Sequence, residues 1–384
     1  MPITERKYTA AAVQAAPVWF DLQATVDKAV ALIQEAAANG ARLIAFPETW
    51  VPGYPSYIYG SAEWDHAESK EVHRLLMENS LTVPGPELDR IRKAAAEANA
   101  MIVIGINERE DRYSRGTLYN SMVYISDTGE LLGVHRKLIP THAERMIWGS
   151  GDGSGLHVFD TNLGRVGGLI CWEHWMPLTR YAMHAQGEQV HIATWPEVPE
   201  LHHLASRSYA FEARSFVICV GSYLTLDQIP EEFPRREAML AGGDFGGEPG
   251  VLLPGGSGII GPDGDWVSGP VANSEVIVYG EIDLDRVNEE QLAFDAAGHY
   301  NRTDIFQLTV DDRPQFPALW LSEQHGSAGS VDPVRESSAE PAPRRIAGQP
   351  LDRAGQVVWA AGTSTPRPDG AMRSGSPVRW PRRA

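Results

Sequence analysis

The chain has 384 residues, with 50 Asp and Glu against 33 Lys and Arg, a formal charge of -17 and an apolar fraction of 43%. A chain of that length buries roughly three quarters of its unfolded surface and needs no disulfide or metal to hold a core. So acidic a body repels phosphate backbones, which argues against a nucleic-acid partner, and no run approaches the roughly 18 apolar residues of a membrane span.

The N-terminal MPITERKYTA lacks a basic segment followed by an apolar run, so no export signal is expected. Two cysteines cannot build a disulfide scaffold; they fit a reducing, cytoplasmic setting in which a thiol stays free. Length alone allows two or three domains or one large sandwich.

Strand and helix patterns alternate over the first 310 residues. YTAAAVQAAP (8–17) reads as a strand. Leu22, Val26, Ala29, Val30 and Ile33 then fall at helical spacing, with Asp21 as N-cap and Gly40 as the stop. ARLIAFPE (41–48) is a buried strand, 86–100 a helix and MIVIGIN (101–107) a strand. YNSMVYIS (119–126), the turn DTGE and LLGVHR (131–136) form a hairpin. Further buried strands are GRVGGLIC (164–171), QVHIATW (189–195), FVICVGSY (216–223) and EVIVYGEIDL (275–284), with helices expected over 175–186 and 201–214. The alternation predicts a layered α/β fold, and the hairpin makes its sheets mixed. From 321 onward the periodic pattern stops. That stretch has eight Pro and nine Arg against six Asp and Glu, a charge of +3. It reads as a solvated, disordered tail (321–384) behind a body of 1–320, or as a segment ordering on an oligomer partner through Val357, Val358 and Trp359.

Few residues have the chemistry of a reactive centre. Cys171 closes the small, apolar run VGGLIC at a strand's carboxyl end, where α/β folds bind ligands and where following N–H groups can favour a thiolate. It could equally be a core thiol. Cys219, apolar on both sides in VICVGSY, reads as inert. Glu48 also ends a strand, where partial desolvation raises a carboxyl toward the range of a general base; singly, it reads as a loop or capping acid. Lys137 and Glu144, taken alone, are ordinary surface charges. The histidine pairs 202/203 and 184/191 have no recognisable ligand spacing, so no metal is expected. The glycine-rich LAGGDFGGEPG and LLPGGSG (240–258) lack the context of a phosphate loop and read as a flexible loop.

Together, AFPETWVPGYP around Glu48, HRKLIPTHAERMIWG around Lys137 and GGLICWEHWMPL around Cys171 resemble the three signature motifs of the nitrilase superfamily of carbon–nitrogen hydrolases, in the family's order. GHYNRTDIFQLTVD (298–311) is similar to the segment that ends the catalytic body, so the resemblance spans about 8–311. CWEH and THAERMIWG point to its nitrilase branch. The resemblance implies a four-layer α-β-β-α sandwich with two mixed sheets. It implies Cys171 as nucleophile, Glu48 as general base, Lys137 as the stabilising cation and Glu144 as the second glutamate that orients it. The substrates implied are a small organic nitrile and water, with no cofactor; a cyanide-degrading enzyme or an aliphatic amidase is the alternative within the superfamily. It further implies homodimers that extend into larger oligomers or spirals. Tyr54, Trp172, Trp195 and Pro196 stand near these motifs as candidate pocket residues, with ordinary packing the competing reading of each aromatic ring.

Overall fold

The computed structural model describes residues 3–60, 65–236, 239 and 249–318. The tail from 321 and the 240–248 part of the glycine-rich stretch therefore lie outside the described residues.

The first sheet has the order β13-β1-β2-β3-β4-β5, built from β1 (Lys7–Gln14), β2 (Ala41–Ala45), β3 (Met101–Arg109), β4 (Leu118–Ile125), β5 (Leu131–Arg136) and β13 (Val276–Asp283). The second has the order β10-β11-β9-β8-β7-β6, with β12 also paired to β11. Its strands are β6 (Phe159–Thr161), β7 (Gly164–Ile170), β8 (Val190–Thr194), β9 (Phe216–Val220), β10 (Tyr223–Thr225), β11 (Val251–Ile260) and β12 (Trp266–Ala272). Parallel pairs β1–β2, β2–β3, β7–β8 and β8–β9 sit among antiparallel ones. Both sheets are mixed, as the hairpin required.

Period-two alternation decides the layers. In the first sheet Ala10, Ala12, Leu43, Ala45, Met101, Val103, Met122 and Tyr124 join a core shared with the second sheet. Their neighbours Ala11, Val13, Ile44, Ile102, Ile104 and Val123 face the other way, onto Val26, Ala29 and Ile33 of α1 (Leu22–Ala38) and Leu88 and Ile91 of α3 (Pro86–Ala98). Met183 of α4 (Pro177–His184) and Ala205, Tyr209 and Ala210 of α5 (Glu200–Ala213) cover the second sheet. This is the expected four-layer sandwich. Asp21 does cap α1, accepting the Ala24 N–H at 2.9 Å. No described helix is long and apolar enough to cross a membrane.

Some local expectations fail. The helix α2 (Ala67–Asn79) was not anticipated: only Val72 and Leu76 of its thirteen residues are buried apolar side chains, too faint a stripe to read. A short helix α6 (Leu284–Glu290) follows β13. LLPGGSG is not a flexible loop but the body of β11. Gly255 and Gly256 take φ of +83° and +94° where the strand shifts register, and a Cβ at Gly255 would meet the Gln14 side chain at 2.2 Å. These glycines serve a close approach within a strand rather than mobility.

Candidate active site

Three loops deliver the site, each leaving the carboxyl end of a strand. Glu48 lies three residues beyond β2, Lys137 follows β5 directly, and Cys171 follows β7 directly. Each loop contains a non-glycine residue in the left-handed region: Thr49 at φ +44°, His142 at +49° and Cys171 at +53°. Such backbone costs of order 1–3 kcal/mol per residue and persists only where its surroundings enforce it. The β3 side of the Glu48 loop depends on Gly105, because a Cβ there would meet the Pro47 carbonyl at 2.1 Å and the Glu48 Cα at 2.8 Å. Asn107 Nδ2 donates to the carbonyls of Val51 and Gly53 at 3.3 and 3.1 Å, and Glu48 N–H donates to the Trp195 carbonyl at 3.2 Å.

Cys171 does not open a helix directly. It begins a 3-10 turn (Cys171–Trp175) that precedes α4. Glu173 in this turn binds two motifs together. One of its oxygens accepts the Leu138 N–H at 2.7 Å, and the other accepts the Ile170 N–H at 2.7 Å and contacts His135 Nε2 at 2.8 Å. Burial pushes this carboxyl up, but His135 and the two N–H groups outweigh it and hold Glu173 below the usual range.

At the centre the Lys137 ammonium donates to Glu48 Oε1 at 2.8 Å and Glu144 Oε2 at 2.7 Å. Its side chain is 1% exposed. Far from being a surface charge, it is among the most deeply buried large side chains of the fold. Asn120 Nδ2 donates to the same Glu48 oxygen at 2.6 Å, while Tyr54 Oη and the Thr141 N–H donate to Glu144 at 2.7 Å each. A carboxylate oxygen of Glu48, one of Glu144 and the Cys171 sulfur lie within 4.8 Å of one another. Glu48 Oε2 has no hydrogen-bond partner among the described residues. One oxygen of Glu48 is thus anchored and the other is free to exchange a proton.

Burial raises Glu48 to about 7; Glu144 adds to this and Lys137 opposes it. Burial, Glu48, Glu144 and Glu197 push the Cys171 thiol well above its ordinary value against the pull of Lys137. Burial and these acids outweigh what the following N–H groups and Lys137 supply, so the resting sulfur is a thiol and needs a base. Burial opposes the charge on Lys137, but Cys171 once it is a thiolate, together with the two carboxylates, outweighs it and raises its pKa well above normal. The lysine is a permanent cation here. A metal ion bound by Glu48, Glu144 and Cys171 would have to displace it.

A family model described as "Carbon-nitrogen hydrolase" matches residues 9–290, which include every residue of this cluster. The chain belongs to the carbon–nitrogen hydrolase family. An aliphatic nitrilase of Rhodococcus rhodochrous is 38% identical over 86% of this chain and 91% of its own. A nitrilase of Bradyrhizobium diazoefficiens is 41% identical over 80% of this chain and 93% of its own. The carbon–nitrogen hydrolase of Helicobacter pylori shares the fold with a TM-score of 0.58 at 19% identity, over 75% of this chain and 93% of that one.

The four candidate pocket residues have different surroundings. Tyr54 is buried against Glu144. Trp172 is 52% exposed. The Trp195 ring is fully buried, stacked between His174 and His202 with centroids 4.8 and 4.1 Å away, and its indole N–H donates to Ser206 at 3.3 Å. Only its carbonyl reaches toward Glu48. Pro196 is buried, its carbonyl accepting the Ser222 N–H at 2.8 Å. Sequence reasoning missed Asn120 and Glu197. Glu197 is buried and raised to about 8, first by burial and then by the negative charge of Glu48 and Glu144. An acid in the apolar run HIATWP-E-V was the available signal.

Proposed function

We propose that the chain is a nitrilase that converts an organic nitrile to the carboxylic acid and ammonia through a thioimidate on Cys171. The observation that carries this reading is the buried Lys137 ammonium held between Glu48 and Glu144 beside the Cys171 sulfur. The Rhodococcus and Bradyrhizobium relatives support the same reaction class.

A nitrile carbon is a weak electrophile, and a thiolate is the protein nucleophile best suited to it. Glu48 takes the Cys171 proton through its free Oε2, and a pKa near the working pH suits it to accept and return protons. The C–S bond forms as one C–N π bond breaks, and the nitrogen takes the proton back from Glu48. Lys137 and the Trp172 N–H stabilise charge on that nitrogen. Glu48 next deprotonates a water that adds to the thioimidate carbon and passes that proton to the imine nitrogen, making an amine. It then carries the new hydroxyl's proton to this amine, so that the C–N bond breaks, ammonia leaves and a thioester carbonyl forms. A second water cleaves the thioester, releasing the acid and restoring the thiol. Glu144, fixed by Tyr54 and the Thr141 N–H, keeps Lys137 in place.

Both cysteines are free, which supports a reducing cytoplasmic setting. Leu178 of α4 and Leu201, Leu204 and Phe211 of α5 are exposed on one helical layer. We place a second copy of the chain on this layer, so that identical apolar stripes cover each other and form a homodimer able to extend further. The test is intact-mass analysis with a panel of aliphatic and aromatic nitriles and their amides. A nitrile-derived adduct on Cys171 and faster ammonia release from nitrile than from amide are expected. Faster release from the amides would replace the proposal with an amidase.

A further inference from the structure

Behind the nucleophile lies a second buried polar cluster that the reaction does not touch. His174 Nδ1 is 2.7 Å from the Cys171 carbonyl oxygen, and its Nε2 is 2.9 Å from His191 Nε2. His191 Nδ1 lies 2.9 and 3.0 Å from the two oxygens of Glu188, and Tyr209 Oη donates to Glu188 Oε2 at 2.5 Å. Ring stacking fixes the orientations: His174 packs on Trp195, and His191 on Tyr209 with centroids 3.7 Å apart. All four side chains are buried.

The proton inventory follows from the two ends. A carbonyl only accepts, so His174 must carry its proton on Nδ1. Its Nε2 then accepts, and His191 must donate from Nε2. Burial and the neighbouring imidazole keep His174 well below its ordinary pKa, and burial does the same for His191, so both rings are neutral. The remaining lone pair on His191 Nδ1 faces Glu188, which must therefore supply a hydroxyl proton. Tyr209 donates to the other oxygen of the same acid. Every donor in the series Tyr209, Glu188, His191, His174 points toward Cys171.

We propose that this one-way donor chain, with Glu188 as a neutral carboxylic acid, polarises the Cys171–Trp172 peptide group and so strengthens the Trp172 N–H that receives charge in the transition state. A hydrogen bond to a peptide carbonyl makes the N–H of the same peptide group a better donor, and bonds aligned in series reinforce one another. The chain also braces the carbonyl of a residue held at φ +53°. Glu188, His191 and His174 are thus positioning residues. This rests on Cys171 being the nucleophile.

Glu188 is faced by His191 beside it, Tyr209 and Glu212 of α5, His184 of α4, Tyr124 of β4 and Arg165 of β7. A cavity of about 330 Å³ lies beside it, lined by Glu188, Arg165, His184 and Glu212 among others, while the Glu188 carboxyl itself is fully buried. Burial raises it to about 8, so the donor chain is intact below that pH and breaks above it.

The test compares Glu188→Gln with Glu188→Leu. The amide keeps one donor and one acceptor, so Glu188→Gln should hold kcat within about threefold and lose the fall in kcat above pH 8. Glu188→Leu should lower kcat at least about tenfold with KM within twofold, a fraction of what deleting a whole oxyanion donor costs. An equal loss in both variants, or none in the leucine variant, overturns the proposal. Nitrogen-15 spectra of histidine-labelled protein, assigned with His174→Asn, test the chain without turnover. They should report Nδ1–H at His174 and Nε2–H at His191. An imidazolium at His191 overturns the chain, and this arm decides alone if the leucine variant does not fold or the enzyme proves not to be a nitrilase.

Discussion

Replacing Lys137 with Met keeps much of the side-chain volume and deletes the charge. The structure fixes what this does. Two carboxylates that each lay within 2.8 Å of the ammonium are left buried, with oxygens no more than 4.8 Å apart and about 1% of either residue exposed. Removing one partner of a buried ionic cluster costs about 3–5 kcal/mol, because the remaining charge can neither reach water nor find a counterion. Without the cation, Glu48 holds its proton more tightly than in the unfolded chain, where a carboxyl titrates near 4.5. The unfolded state then loses protons first as pH rises, and stability falls with pH above 4.5. The deficit should be full at pH 8 and should shrink on acidification to about pH 5. Urea unfolding of Lys137→Met and wild type at both pH values measures it. A second substitution, Glu144→Gln, removes one of the stranded charges and should recover at least half of the lost stability at pH 8. Turnover should not recover: deleting a positively charged stabiliser costs about 10²–10³ in kcat. Lys137→Met unfolding at the wild-type midpoint at pH 8, or turning over within tenfold of wild type, would refute the buried ion cluster as described.

Two other perturbations probe the sulfur. Cys171→Ala should abolish turnover while leaving the fold intact. Cys219→Ala, in the fully buried β9, should cost about 1–3 kcal/mol in the urea midpoint and keep catalysis, and the reverse outcome would exchange their assignments. Glu197→Gln removes a negative charge that disfavours the thiolate, so Cys171 should alkylate with iodoacetamide at a lower pH than in wild type. The difference should grow as pH rises through about 8, where Glu197 ionises. Identical pH profiles would mean that Glu197 exerts no field on the sulfur.

The layered fold was legible because the paired strands alternate so regularly. Ala10 and Ala12 against Ala11 and Val13, or Met101 and Val103 against Ile102 and Ile104, assign each side chain to one of two cores. Where that signal is weak the reading failed. LLPGGSG carries the glycines of a loop, yet it forms β11 because Gln14 from the first sheet must approach its backbone, a tertiary demand with no local signature. The sequence resemblance likewise supplied Glu48, Lys137, Glu144 and Cys171, residues that individually read as bland. What it could not supply was their electrostatic state. The sulfur was expected to gain from the N–H groups that follow it; it sits at a short turn among three acids, and so depends on Glu48 for ionisation.

The donor chain behind Cys171 was illegible for a different reason. Its members come from a turn, the approach to β8, β8 itself and α5, and a buried Glu or His in any one of these places is destabilising on its own. The informative feature was ionisable groups in the wrong place: Glu188 and His191 fall in a run that is buried throughout and carries no other ionisable side chain up to Pro196. A buried carboxylic acid that stays neutral costs far less than an ionised one, and it supplies a donor and an acceptor from a single side chain. Such a group can accept from Tyr209 and donate to His191 without a net charge. Asp would be too short to span the same two partners, and Gln would satisfy both but could not switch with pH. Retaining a titratable acid at that node, where an amide would be more stable at alkaline pH, ties the polarity of the Cys171–Trp172 peptide to pH.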